Sequence, residues 1–281
     1  MHGLFAAAPQ LGWQAHEGDG TEGQGTNPTL VNNVETLSNV PHILARGWGW
    51  FRSMGTSESP GTVVTTVVGD VVGPDVGEVE LGSSLRAVID AVGSGVGQGR
   101  VVKAVLSGVA NVVVTAEHLD VELSYEGFQA IGSGMGAAGF IVYDDTTCMV
   151  GVAALLSRFL SIESCGQCPP CKLGSSAITD HLERIESGAG TDRDIGAIVG
   201  WLDRLTDGNR CYLAVEEQVL ISSIRREFAD EFAEHIDLGH CPRPRLLTMP
   251  KLVDLSGGVA TYDRSFSRKR SDWTFEPEPQ P

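Results

Sequence analysis

The chain has 281 residues, 42% of them hydrophobic, and a formal net charge of −16. That length suits two or three globular units, while the acidity argues against nucleic acid and anionic membrane, both of which need a basic footprint. No apolar run approaches the roughly 20 residues of a membrane helix, the N-terminus lacks a secretory pattern, and the six cysteines do not spread as a disulfide framework, so a cytoplasmic location without membrane insertion is expected.

Residues 1–27, rich in Gly, Gln, Ala and Thr, read as an irregular lead-in. Then comes Pro28-Thr29-Leu30-Val31-Asn32-Asn33-Val34-Glu35-Thr36-Leu37, with further apolar positions at Val40, Ile43, Leu44 and Trp48 in helical spacing. Asn32 and Asn33 carry donors and acceptors suited to a flavin ring edge or phosphate. They are equally suited to capping the helix that follows.

Residues 60–120 change character. The β-branched run from Thr62, turn chemistry at Pro74-Asp75 and the segment Glu78-Val79-Glu80-Leu81 predict a hairpin. Ser83 or Ser84 can cap a helix with the stripe Leu85, Val88, Ile89 and Val92, and strands at Val101–Leu106 and Val112–Thr115 follow. This set suggests a small β-grasp unit. Residues 121–148 read as a glycine-rich connection. Gly132 to Gly139 run into a strand and not a helix, which favours a close-packed turn over a dinucleotide phosphate cradle.

From Met149 the period is helical: Val150, Leu155, Phe159 and Ile162 mark one helix, and Leu173–Glu186, Asp194–Leu205 and Ala214–Ile236 mark three more. Leu220, Ile224, Phe228 and Phe232 form a single ridge on the last. A four-helix bundle over 149–241 is expected, with Cys165-Gly166-Gln167-Cys168-Pro169-Pro170-Cys171 joining its first two helices. Three cysteines at two-residue intervals can all aim sulfur at one inorganic centre. The pattern is the three-ligand part of a [4Fe–4S] site that needs one further thiolate, and Cys211 is the best candidate, ahead of Cys241. Structural zinc more often takes two separated pairs. Pro169 and Pro170 are expected to hold this loop extended, Cys148 to be a small buried residue, and residues 242–281 to form a poorly ordered tail in which Arg268 and Lys269 are candidate partner contacts.

The cysteine loop from Glu163 to Lys172, followed by Asn209-Arg210-Cys211, closely resembles the flavoprotein subunit of NADH:quinone oxidoreductase and its hydrogenase and formate dehydrogenase relatives. Pro28 to Leu37 resembles that family's flavin-contacting segment, in the same chain order. The resemblance implies an α+β fold: residues 1–59 as the remnant of a flavin-binding domain, a soluble-ligand-binding type of β-grasp domain at 60–120, and a helical [4Fe–4S] domain at 149–241. It implies Cys165, Cys168, Cys171 and Cys211 as cluster ligands, and Asn32, Asn33 and Thr36 as contacts to FMN shared with a domain that bears a glycine-rich nucleotide loop, which these 281 residues do not contain. The expected role is electron transfer from NADH-reduced FMN through the cluster to a partner iron–sulfur protein, within a complex of iron–sulfur and flavin-binding subunits. The alternative is a flavin-free docking module acting on a separate flavoprotein. No catalytic acid or base is assigned.

Overall fold

The computed structural model describes residues 32–249 and 251–263. It is a mixed α+β chain that divides into two compact units after Ser53. In the first unit lie α1 (Val34–Arg46) and the short α2 (Trp48–Phe51). Asn33 is extended at the head of α1, and its Oδ1 accepts the N–H groups of Glu35 (2.7 Å) and Thr36 (3.4 Å), so capping is the contact observed for it. The apolar side chains Val34, Leu37, Val40 and Leu44 of α1 are exposed.

The second unit is built on a five-stranded sheet ordered β2-β1-β5-β3-β4, in which β1 is Thr62–Gly69, β2 Asp75–Glu80, β3 Val102–Ser107, β4 Val114–Thr115 and β5 Gly139–Asp144. β1 and β2 form the expected antiparallel hairpin. β5 pairs parallel with β1 and antiparallel with β3. The centre of the sheet therefore comes from a stretch expected to be a glycine-rich connection. Parallel pairing draws on a partner distant in sequence, so no local hairpin signal announces it.

Side chains alternate across this sheet. Val105 of β3 and Phe140 and Val142 of β5 pack with Leu85, Val88 and Ile89 of α3 (Leu85–Gly93) and with Phe128 of α4 (Tyr125–Ala130). On the opposite face Ala104, Leu106 and Tyr143 pack with the helices that follow. Covering both faces explains why Phe140 to Tyr143 read as one apolar run and not an alternation. One face of the sheet and the helices thus share a core within one compact unit. Residues 54–59 join the same unit: the hydroxyls of Thr56 and Ser59 both donate to the Glu126 carboxylate.

The helices are α5 (Met149–Glu163), α6 (Pro169–Glu186), α7 (Asp192–Leu202), α8 (Leu213–Glu227) and α9 (Ala229–Leu238). The single last helix expected from the ridge is broken at Phe228, whose φ of −118° and ψ of 33° leave the helix. Residues four apart drift by about 40° per step around a helix of 3.6 residues per turn. A straight run would carry the ridge off the core; the break realigns it, so Leu220, Ile224 and Phe232 are all buried.

The expected tail is ordered over its first part. Leu247 and Met249 pack against the helical core, and Arg245 pairs with Asp70 and donates to Thr147 Oγ1 (2.8 Å). β6 (Lys251–Ser256) and β7 (Val259–Asp263) then form a hairpin, with Gly257 (φ 58°) and Gly258 (φ 80°) at its turn. Two adjacent glycines at positive φ are the chemistry a two-residue hairpin loop requires. Pro28 to Val31, Arg268 and Lys269 lie outside the described residues. Among the described residues no helix is long and apolar enough to cross a membrane.

Candidate metal centre

α5 ends at Glu163, and Ser164, in extended conformation, closes it by donating its N–H to Leu160 O (2.9 Å). Gly166, at φ 70°, turns the chain back, a conformation that costs glycine least. Cys168 then caps α6, with Pro169 and Pro170 as its first two residues. The prolines therefore start the helix and do not extend the loop: their fixed φ suits the first turn, where a missing N–H costs nothing. As a result Cys168 and Cys171 both lie at the N-terminal end of an 18-residue helix, whose partial positive charge favours thiolate.

Cys211 comes from the α7–α8 loop, where Asn209 Nδ2 donates to the Cys211 carbonyl (3.0 Å). All four expected ligands, Cys165, Cys168, Cys171 and Cys211, line one pocket together with Ser164 and Ala214. Cys168 and Cys171 are buried, whereas Cys165 and Cys211 are exposed at its mouth. Burial pushes the Cys171 thiol up to about 11, nearby Glu217, Cys211 and Cys168 add to this, and a hydrogen bond with Ser164 opposes it. Ser164 Oγ lies 3.4 Å from Cys171 Sγ.

α6 and the loop bearing Cys211 meet at Gly174. A Cβ there would sit 2.7 Å from Leu205 Cδ1, and Leu205 is fully buried. Gly174→Val should therefore push the Cys211 segment outward and cost about 1–3 kcal/mol by overpacking. Loss of iron on desalting should be faster than in the wild type; unchanged retention would contradict this placement.

Beneath the pocket lies a polar cluster. Ser157 Oγ on α5 is 2.9 Å from Thr179 Oγ1 on α6 and donates to Glu217 Oε1 (2.8 Å) on α8. Glu217 is fully buried, with Oε2 unpartnered, and burial raises its carboxyl to about 8 although the Ser157 hydrogen bond opposes this. The fold therefore keeps the proton that the unfolded chain releases near 4.5. Stability from this group is fully present below that value and is lost as pH rises through about 8. Glu217→Gln should melt close to the wild type in mild acid and gain relative to it as pH approaches 8. A melting difference independent of pH would contradict this.

Asn32 and Thr36 are exposed in the first unit, as is Asn33. Sequence reasoning missed a second cluster, Cys148, His235 and Cys241, whose ligand atoms all lie within 4.8 Å of one another. Their distant positions in the chain carry no spacing signal.

The family described as "NADH-ubiquinone oxidoreductase-F iron-sulfur binding region" matches residues 151–235, which include all four pocket cysteines. The chain is 38% identical over 216 residues to the F subunit of NADH-quinone oxidoreductase from Mycobacterium bovis, covering 76% of this chain and 48% of the relative. The HndC subunit of the NADP-reducing hydrogenase of Solidesulfovibrio fructosivorans is also 38% identical over 216 residues, at 76% and 44% coverage. This chain carries the iron–sulfur binding region described for that family and is similar to the C-terminal part of NADH-quinone oxidoreductase F subunits. It spans about half the length of the curated relatives it matches. The solved NAD+-reducing [NiFe]-hydrogenase in its H2-reduced state shares the fold over 77% of this chain and 36% of that one, with a TM-score of 0.64 and 28% identity. The match to this iron–sulfur binding region and the cysteine-lined pocket support an iron–sulfur electron-transfer role.

Proposed function

We propose that Cys165, Cys168, Cys171 and Cys211 hold a [4Fe–4S] cluster through which this chain passes electrons from NADH-reduced FMN to a partner iron–sulfur protein. The observation that carries this reading is the convergence on one pocket of four thiols from two chain segments distant in sequence. The pocket is lined by no carboxylate or imidazole, which matches a four-thiolate donor set. When bound, such a cluster supplies one-electron redox capacity.

The protein's own residues place and tune it. Cys168 and Cys171 hold its inner side at the helix N-terminus, where the helix dipole offsets negative charge. The Ser164 hydroxyl beside Cys171 is placed to donate to thiolate sulfur, which raises the potential. Cys165 and Cys211 turn the outer side toward the surface, where a partner can approach. We assign Asn32, Asn33 and Thr36 to one wall of the FMN pocket; with Oδ1 of Asn33 engaged in the cap, its amide nitrogen is the donor offered to FMN. We read the sheet as the family's β-grasp unit and α5 to α9 as its helical bundle, both serving as scaffold. The setting we assign is a cytoplasmic complex of flavin-binding and iron–sulfur subunits.

NADH added to the anaerobic complex with a flavin-bearing chain should bleach the broad visible iron–sulfur absorption. The same addition after flavin removal should not. Bleaching by NADH without flavin would overturn the electron path.

A further inference from the structure

We propose that Cys148, His235 and Cys241 form a second metal site, a mononuclear four-coordinate site for a thiophilic divalent cation, zinc by its donor set, separate from the cysteine-loop pocket. Cys148 caps α5, His235 lies on α9, and Cys241 follows the left-handed Gly239 that ends α9. None of the three lines the pocket of the cysteine loop.

The imidazole shows what the site is poised to do. His235 is fully buried, and its Nδ1 lies 2.6 Å from the Glu231 carbonyl oxygen. A carbonyl only accepts, so Nδ1 carries the hydrogen, and in the neutral ring the lone pair sits on Nε2. Nε2 is 3.3 Å from Cys148 Sγ. A ring nitrogen fixed by a backbone carbonyl, with the other turned to thiols, is the usual outer-shell arrangement of a metal-bound histidine.

Burial pushes both thiols above the ordinary cysteine value, and the donors around the two sulfurs oppose that shift. The Gly151 N–H donates to Cys148 Sγ (3.4 Å), a further hydrogen bond comes to Cys241 from the Arg243 backbone, and the Arg243 guanidinium interacts electrostatically with Cys148. Arg243 Nε is itself buried without a hydrogen-bond partner. Two thiolates and one imidazole suit zinc over magnesium or calcium, which take oxygen ligands. Three protein ligands leave the fourth position for water or an added donor. Bound there, the cation would fasten the start of α5 to α9 and the segment after it.

The test is metal analysis of the full chain, purified anaerobically with its cluster, after equilibration with zinc and gel filtration. Wild type should carry about one zinc per chain, and Cys241→Ser, the mildest change because this thiol is only partly buried, should hold at least about tenfold less. His235→Gln should lose zinc likewise. Iron and sulfide should stay at wild-type levels in Cys241→Ser, so failure of this site and failure of the cluster assignment give different results. Zinc content unchanged in Cys241→Ser, or wild type that takes up no zinc with both thiols reduced, would overturn the proposal. So would a Cys148–Cys241 disulfide whose reduction restores the thiols without zinc uptake.

Discussion

Cys171→Ala should abolish the cluster, with iron and sulfide both falling to background. Cys171 is the buried thiol in the first turn of α6, and the three thiolates left, with no fifth cysteine lining the pocket, cannot complete a set of four. Cys165→Ala, Cys168→Ala and Cys211→Ala should do the same. Cys148→Ala and Cys241→Ala should keep iron, because neither residue lines that pocket. Loss of iron from Cys241→Ala with retention in Cys211→Ala would show that the fourth ligand has been misassigned.

The second large effect concerns NADH. The 281-residue chain by itself should oxidise NADH with an artificial acceptor at a negligible rate, since the Gly-Arg-Gly-Gly-Ala-Gly-Phe loop that the resemblance implies for the nucleotide phosphates does not occur in its sequence. A chain that carries such a loop and FMN should restore the reaction when added. In that complex Asn32→Ala and Asn33→Ala should weaken flavin retention while iron stays constant. Robust NADH oxidation by this chain alone would contradict this and place a nucleotide site within these 281 residues.

The cysteines that line the pocket were legible because their spacing is local: Cys165, Cys168 and Cys171 announce themselves within one short stretch, and Cys211 stands just ahead of a helix. The hairpin of β1 and β2 and the helices α3 and α5 to α8 were legible from periodicity and capping residues such as Ser84. What escaped depends on contacts distant in sequence. β5 became the centre of the sheet through pairing with β1 and β3, which no local pattern encodes. The grouping of Cys148, His235 and Cys241 needs α9 folded back onto the head of α5. Pro169 and Pro170 were misread because proline suits both an extended loop and the first turn of a helix, and the surrounding fold decides between them. The hairpin at Gly257-Gly258 did carry a local signal, outweighed by the tail-like composition around it.

The measurement that bears most directly on the central claim is acid-labile sulfide together with iron, on protein purified without oxygen. About four of each per chain are expected, by the four-cysteine rule for this cluster type. Protein whose four pocket thiols are protected by a bound metal, yet which contains no sulfide and only zinc, would contradict it.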